Sequence, residues 1–380
     1  MLMDLTVDQG TLSRALRLVA RVVPMRSTIP ILQMVLLAGE PGRLHLTATD
    51  AELAIATVLP ADVASDGRVA IPARLLGEYV AQLPAQPVRL TVESTRHRVR
   101  AACGTFVANF ATADPDEFPA LPPADERSAH DLDAGRLRRA LEGVAVAAAR
   151  DESRPVLSGV LFDFAAEGLT LSAADGFRLS RTRLPEVAAA PRRLLVPARA
   201  VAEFARLLAE TQAARLLLTP DGRGVLLAAG ETALYARLIE GQFPEIERVI
   251  PQECRTRVTV DTAAFRQAVR VAGLFGGGDV RPVLLEAMPD WLRVTARGAE
   301  TGETETSLPA TLEGEPQAVS LNTRLLADLL DTMTTDRLEL RWKTPQTPVV
   351  LREVEPADEA DVAVVMPLHD PALTQRKAEV

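Results

Sequence analysis

The chain switches between two hydrophobic periods, and it does so three times in the same order. Each round opens on a short alternating stretch that reads as a strand. It then enters an amphipathic helix over residues 9–23, 133–149 or 261–274, where apolar side chains recur three and four positions apart. Two-residue alternation follows. In the first round Ile31 to Ala38, Arg43 to Thr49 and Ala51 to Leu59 read as strands. Hairpin-type turns are expected at Glu40-Pro41-Gly42 and, in the second round, at Ala166-Glu167-Gly168. A second helix starts from Pro72, Pro197 or Asn322, since proline suits a first helical turn and asparagine a cap. Three more strands close each round, with Thr219-Pro-Asp-Gly-Arg-Gly224 as a turn in the second.

The rounds are copies of one another. Ile71-Pro-Ala-Arg-Leu-Leu-Gly-Glu-Tyr-Val returns as Val196-Pro-Ala-Arg-Ala-Val-Ala-Glu-Phe-Ala and, diverged, as Leu321-Asn-Thr-Arg-Leu-Leu-Ala-Asp-Leu-Leu, in steps of 125 residues. That step aligns Arg74, Arg199 and Arg324, and four residues on Glu78, Glu203 and Asp328, which makes arginine and acid helical neighbours. Leu44 to Asp50 maps onto Leu169 to Asp175, and Glu117-Phe-Pro119 onto Gln242-Phe-Pro244. The third copy is looser, with its strand from Trp291 two residues short and its end at Val365-Met-Pro367. The expected fold is therefore α+β, with three pseudo-equivalent domains of two helices on an antiparallel sheet: 1–124, 125–252 and 253–370, then a tail of 371–380. Linkers rich in proline and polar residues are expected near Leu121 to Ser128 and Pro251 to Thr256.

Composition narrows the function. No apolar run approaches the roughly 20 residues that span a bilayer, and no basic-then-apolar leader opens the chain, so a cytoplasmic protein is expected. Cys103 and Cys254 lie too far apart for a redox or metal motif. His45, His97, His130 and His369 show no ligand spacing, so neither metal nor cofactor is expected. A net charge of -9 argues against nucleic-acid binding over the whole surface but leaves room for a local basic face.

Arg14, Arg17 and Arg21 share one face of the first helix with no acid between them. The second copy offers Arg136, Arg138 and Arg139 with Arg150 just beyond, and the third Arg266 and Arg270. Taken singly, each is also what an ordinary solvated helix face looks like. Repeated in an acidic chain, they point to sequence-independent contact with the phosphates of double-stranded DNA, and no aromatic stripe offers stacking for single strands. Two other functions are open: a magnesium-dependent nuclease built on Asp50 and Asp175 or on Asp114, Asp116 and Glu117, and a scaffold that touches no nucleic acid.

Four segments, Pro24-Met-Arg-Ser-Thr-Ile-Pro-Ile-Leu32, Ala174-Asp-Gly-Phe-Arg-Leu179, Gly241 to Pro251 and Val364-Val-Met-Pro-Leu368, resemble in order and spacing the bacterial DNA polymerase III beta subunit family, from about Met3 to His369. The resemblance implies a non-catalytic processivity subunit: a head-to-tail homodimer, closed as a ring of six domains around duplex DNA. It adds Arg26 and Arg154 to the DNA contacts. It also implies a pocket for short linear motifs of the replicative polymerase, clamp loader and repair polymerases. The matching positions are Leu157, Ala174, Gly176, Phe177, Arg178, Leu179, Pro244, Arg248, Val249, Asn322, Val364, Met366, Pro367 and Leu368. Chemically, Leu, Val and Met can seat an apolar anchor while Arg178 and Arg248 supply a polar rim; plain core is the other reading of the Leu and Val positions. Phe106 and Ala108 are implied to meet Leu274 and Phe275 of the second copy of the chain, just before Gly276 to Gly278. The family commonly ends soon after its Met-Pro segment and often carries threonine where Ala174 stands, so the tail and this pocket wall depart from it. A specialised paralogue of the clamp carries the same motifs.

Overall fold

The computed structural model describes residues 3–93, 98–151, 153–275, 280–355, 358 and 361–369; His97, Gly276 to Gly278 and the tail lie outside them. Its helices come in pairs: α1 Gln9–Val19 with α2 Ala73–Gln82, α3 Ala134–Ala145 with α4 Ala198–Leu208, and α5 Thr262–Ala272 with α6 Thr323–Leu330. The second helix of each pair starts at residue 73, 198 or 323, reproducing the step seen in the sequence. Each copy is thus one α+β module of two helices with antiparallel strands. Among the described residues no helix is long and apolar enough to cross a membrane.

Several boundaries differ from the periodicity, each for a local reason. α1 stops at Val19, and bonds from Arg21 N–H to Leu18 O (3.3 Å) and from Val23 N–H to Ala20 O (3.2 Å) tighten the chain. The tighter pitch lets both Val22 and Val23 be buried before Pro24. Pro72 and Pro197 end strands, Gly67–Pro72 and Arg192–Pro197, so the helices begin one residue later. Asn322 caps α6 as expected, its side chain accepting from the N–H groups of Arg324 and Leu325. The strand expected from Ile31 begins at Met34, because Pro30–Gln33 forms a 3₁₀ turn. That turn buries the consecutive Ile31 and Leu32, which alternation would have put on opposite faces. Pro155–Ser158 repeats the device.

The chain divides into two compact units that do not follow the copy boundaries: residues 1–134 with 207–238, and 135–206 with 239–380. The reason is sheet continuity. In the first unit an eight-stranded antiparallel sheet joins the second copy to the first by pairing Thr232–Arg237 with Leu53–Pro60, from Thr57 opposite Thr232 to Leu53 opposite Ala236. A five-stranded sheet in the same unit ends on the edge strand Phe106–Ala111. In the second unit a twelve-stranded order runs from the second copy into the third, where Arg178–Leu184 pairs with Val362–Val365.

The core of this unit is apolar on both helices. Phe265 and Val269 of α5 and Leu326, Leu329 and Leu330 of α6 pack with Val258, Leu285, Leu340 and Trp342 at 1% exposure or less. Each such side chain contributes about 1.5–3 kcal/mol by leaving water.

Candidate docking site and nucleic-acid interface

The second junction, where Arg178–Leu184 meets Val362–Val365, carries the residues implied as a pocket. Asp175 shapes the loop before it, its Oδ1 accepting from Phe177 N–H at 2.8 Å and Arg178 N–H at 2.9 Å. Gly176 takes φ +91° in that turn, a backbone region that favours glycine. The result lifts Phe177 into solvent at 65% exposure, while Met366 N–H donates to Phe177 O at 2.8 Å and ties the third copy to the loop. Beneath, Leu157, Ala174, Leu179 and Val364 share one apolar cluster with Phe243, Ile246 and Ile250.

A cavity of about 460 Å³ opens beside the loop, lined by Leu157, Phe177, Arg178 and Asn322, and also by Ala148, Arg150, Arg154, Arg324 and Leu325. Pro244, Arg248 and Val249 stand exposed on the neighbouring loop, with Arg248 paired to Glu245 at 2.9 Å; they do not line this cavity. Met366, Pro367 and Leu368 are half-buried, and Leu368 N–H donates to Ser320 O at 2.8 Å.

Arg178 is not at the rim. It is 5% exposed, bonded through Nε to Asp175 at 3.1 Å and through an Nη to Asp328 of α6 at 2.8 Å, with Arg150 a further 3.6 Å from Asp328. A guanidinium in that position must be paired, so this arginine fastens the second copy to the third. The exposed Arg154 and Arg324 supply the polar lining instead. Arg154, expected among the DNA contacts, also lines this cavity, as does Arg324, which the sequence placed only in the repeated helix signature.

The three opening helices treat their arginines differently. Leu12, Ala15, Leu16 and Val19 of α1 are buried, while Arg14 and Arg17, with Arg21 in the following turn and Arg26 beyond, are exposed. Arg14 makes only a 3.2 Å bond to Thr11 Oγ1 among the described residues. Arg136 pairs with Glu186 at 3.2 Å and Arg138 with Glu142 at 3.4 Å, leaving Arg139 exposed with no ion-pair partner among the described residues. Arg266 is drawn inward to Leu330 O at 2.9 Å and Met333 O at 2.7 Å, and Arg270 binds Asp331 at 2.8 Å.

Two further elements have unfilled edges. Among the described residues Phe106–Ala111 is paired on one side only, and it exposes Phe106 at 52%, with Ala108 half-buried. In the second unit Gly302–Gly314 pairs with Trp291–Gly298 along residues 302–309 and with Thr256–Asp261 only along 310–314, leaving the other side of its first part open among the described residues. Leu274 beside it is 74% exposed, and Phe275 is partly packed on the core with its carbonyl accepting from Thr301 Oγ1 at 2.6 Å.

Of the carboxylates weighed for a nuclease, Asp50 accepts from Leu53 N–H at 2.7 Å as Asp175 does from Arg178, Asp114 caps Pro115–Glu117, and Asp116 pairs with Arg68 at 3.7 Å. Among the described residues no three His, Cys, Asp or Glu side chains are grouped to hold a metal.

Comparison with known proteins agrees along the whole chain. Models of the DNA polymerase III beta subunit match over residues 3–122 for the N-terminal domain, 131–245 for the central and 247–369 for the C-terminal. The beta sliding clamp of Synechococcus elongatus is 30% identical over 362 residues, covering 93% of this chain and 96% of that protein. The crystal structure of the C. crescentus beta sliding clamp matches with a TM-score of 0.90 at 28% identity, covering 97% of this chain and 99% of that one. The DNA polymerase sliding clamp of Bacillus subtilis shares the fold at a TM-score of 0.91 and 24% identity, over 97% of this chain and all of the other. Three successive domain matches, a full-length relative and a full-length fold leave one assignment: the chain belongs to the DNA polymerase III beta subunit family.

Proposed function

We infer that this chain is a sliding clamp: a non-catalytic processivity factor, two copies of which close head to tail around double-stranded DNA. The ring tethers the replicative DNA polymerase, the clamp loader and repair polymerases through short linear motifs. The observation that carries this reading is the module repeated three times, in a chain that matches the three family domains in order between residues 3 and 369. The three copies, 1–124, 125–252 and 253–370, are its domains.

A closed ring stays on DNA by topology, so only weak phosphate contacts are required of it. Arg14, Arg17, Arg21 and Arg26 supply them from an exposed face, joined by the exposed Arg139, Arg150 and Arg154. The open edge of Phe106–Ala111 in one copy and that of residues 302–309 in the other can complete each other's hydrogen bonds, with Phe106 and Leu274 as apolar partners. At the second junction Phe177, Leu157 and Leu325 give a peptide anchor an apolar seat, with the half-buried Met366 tied to the loop beside them.

The test is topological. Light scattering should give twice the chain mass, and protein loaded on nicked circular DNA should remain there but leave the same DNA once it is linearised. Equal retention on both forms refutes the ring. L179A/M366A should abolish binding of a polymerase-derived peptide while the dimer persists, and undiminished affinity refutes the pocket.

A further inference from the structure

The docking loop has a counterpart 125 residues earlier, at the first junction. Asp50 repeats Asp175, its Oδ1 accepting from Glu52 N–H at 3.0 Å and Leu53 N–H at 2.7 Å. Ala51 holds φ +78° where Gly176 has +91°, so the turn is kept even with a residue that rarely adopts it. Arg237 N–H donates to Glu52 O at 2.9 Å, just as Met366 N–H donates to Phe177 O. The residues at the same step are alike too: Leu32 and Phe118 share one apolar cluster and Leu157 and Phe243 another, all below 9% exposure.

The backbone of the docking loop is therefore built twice, and the two loops differ at the rim. Where the second junction presents Phe177 and Met366, the first presents Glu52 and Arg237, whose side chains are 3.5 Å apart and reached by solvent. An apolar anchor seated there must cover both charges, stripping their water without offering a partner in return.

We propose that the Glu52–Arg237 pair closes the first junction to the motif peptides that the second junction takes, so that each chain docks one partner peptide. The proposal rests on the docking reading of the second junction. Titration calorimetry of the full chain with a decapeptide carrying adjacent Leu and Phe anchors counts the sites. The native chain binds one peptide, E52F/R237M binds two, and E52F/R237M combined with L179A/M366A binds one. A single site on E52F/R237M with native circular dichroism overturns the inference. No site on the native chain overturns the docking reading instead. If E52F/R237M loses its fold, E52Q/R237M, which removes the charges at nearly constant bulk, is read in the same way: two sites sustain the inference and one overturns it.

Discussion

One main-chain carbonyl, near the end of the second helix of a copy, shows how the two units use their arginines. In the first unit it is Val80 O, and the neutral amide of Gln9 donates to it at 2.7 Å. In the second it is Leu330 O, 250 residues on, and the donor is Arg266 at 2.9 Å. Each carbonyl also accepts from a backbone N–H three residues on, Leu83 at 3.3 Å and Met333 at 3.2 Å, so the side chain supplies a second bond at the helix end. Only one consumes a cation. In the first unit Arg14 and Arg17 remain in solvent; on the corresponding α5, Arg266 and Arg270 are absorbed by carbonyls and Asp331. The same contrast appears at the junctions, where Leu53 sits buried in the first and Arg178 occupies the matching place in the second. The same basic spacing in sequence thus leaves arginines in solvent on α1 and turns them toward neighbouring groups on α5.

The largest effect should separate the two helices. Replacing Arg14, Arg17 and Arg21 together with Ala should weaken association with duplex DNA on the order of a hundredfold and lower the slope of log affinity against log salt by about 2.7. Arg270→Ala should leave that slope unchanged, because Asp331 already holds its guanidinium. A fall of about 0.9 for Arg270→Ala, as for one lost phosphate contact, read by fluorescence anisotropy across a salt series, breaks the contrast.

The next effect is on stability. Arg178→Ala leaves Asp175 and Asp328 without their shared cation and should cost about 3–5 kcal/mol in urea unfolding; R178L/D328L, which copies the apolar choice of Leu53, should recover more than half. Arg266→Ala should cost about 1–3 kcal/mol with DNA binding unchanged, sharpening its role as a cap.

The smallest effect is on pH. Asp361 accepts from Arg183 N–H at 2.9 Å, yet burial pushes its carboxyl up to about 6 from 3.8, with Asp358 adding to the rise. A raised folded value means that its contribution is fully present below 3.8 and is lost as pH climbs through about 6. The melting temperature of the native chain should therefore fall relative to that of D361N between pH 4 and 7. A difference independent of pH removes Asp361 from the account.

Much of this was legible in sequence because it is local. The helix starts at residues 73, 198 and 323 follow from a repeated ten-residue signature, and the three closing strands of each copy from simple alternation. The docking loop was visible as Ala174-Asp-Gly-Phe-Arg. The burial of Arg178 was not, because its partner Asp328 lies 150 residues away and looks in sequence like the helical neighbour of Arg324. The inward turn of Arg266 was hidden likewise: its spacing is that of an exposed face, and its acceptors are main-chain atoms more than 60 residues distant. The two compact units could not be anticipated from proline-rich linkers, since strand pairing between Leu53–Pro60 and Thr232–Arg237 is set by which edges stay unfilled.

That pairing has a consequence for the chain's history and handling. A sheet that crosses from one copy into the next means the copies are not interchangeable cassettes, although the sequence repeats as if they were. Cleaving near residue 124 would cut few contacts along the chain but strip the strand at Leu53–Pro60 of its neighbour, baring a row of unsatisfied amides and carbonyls. A fragment ending there inherits an adhesive border, and its solubility, rather than its secondary structure, is the property that would be lost.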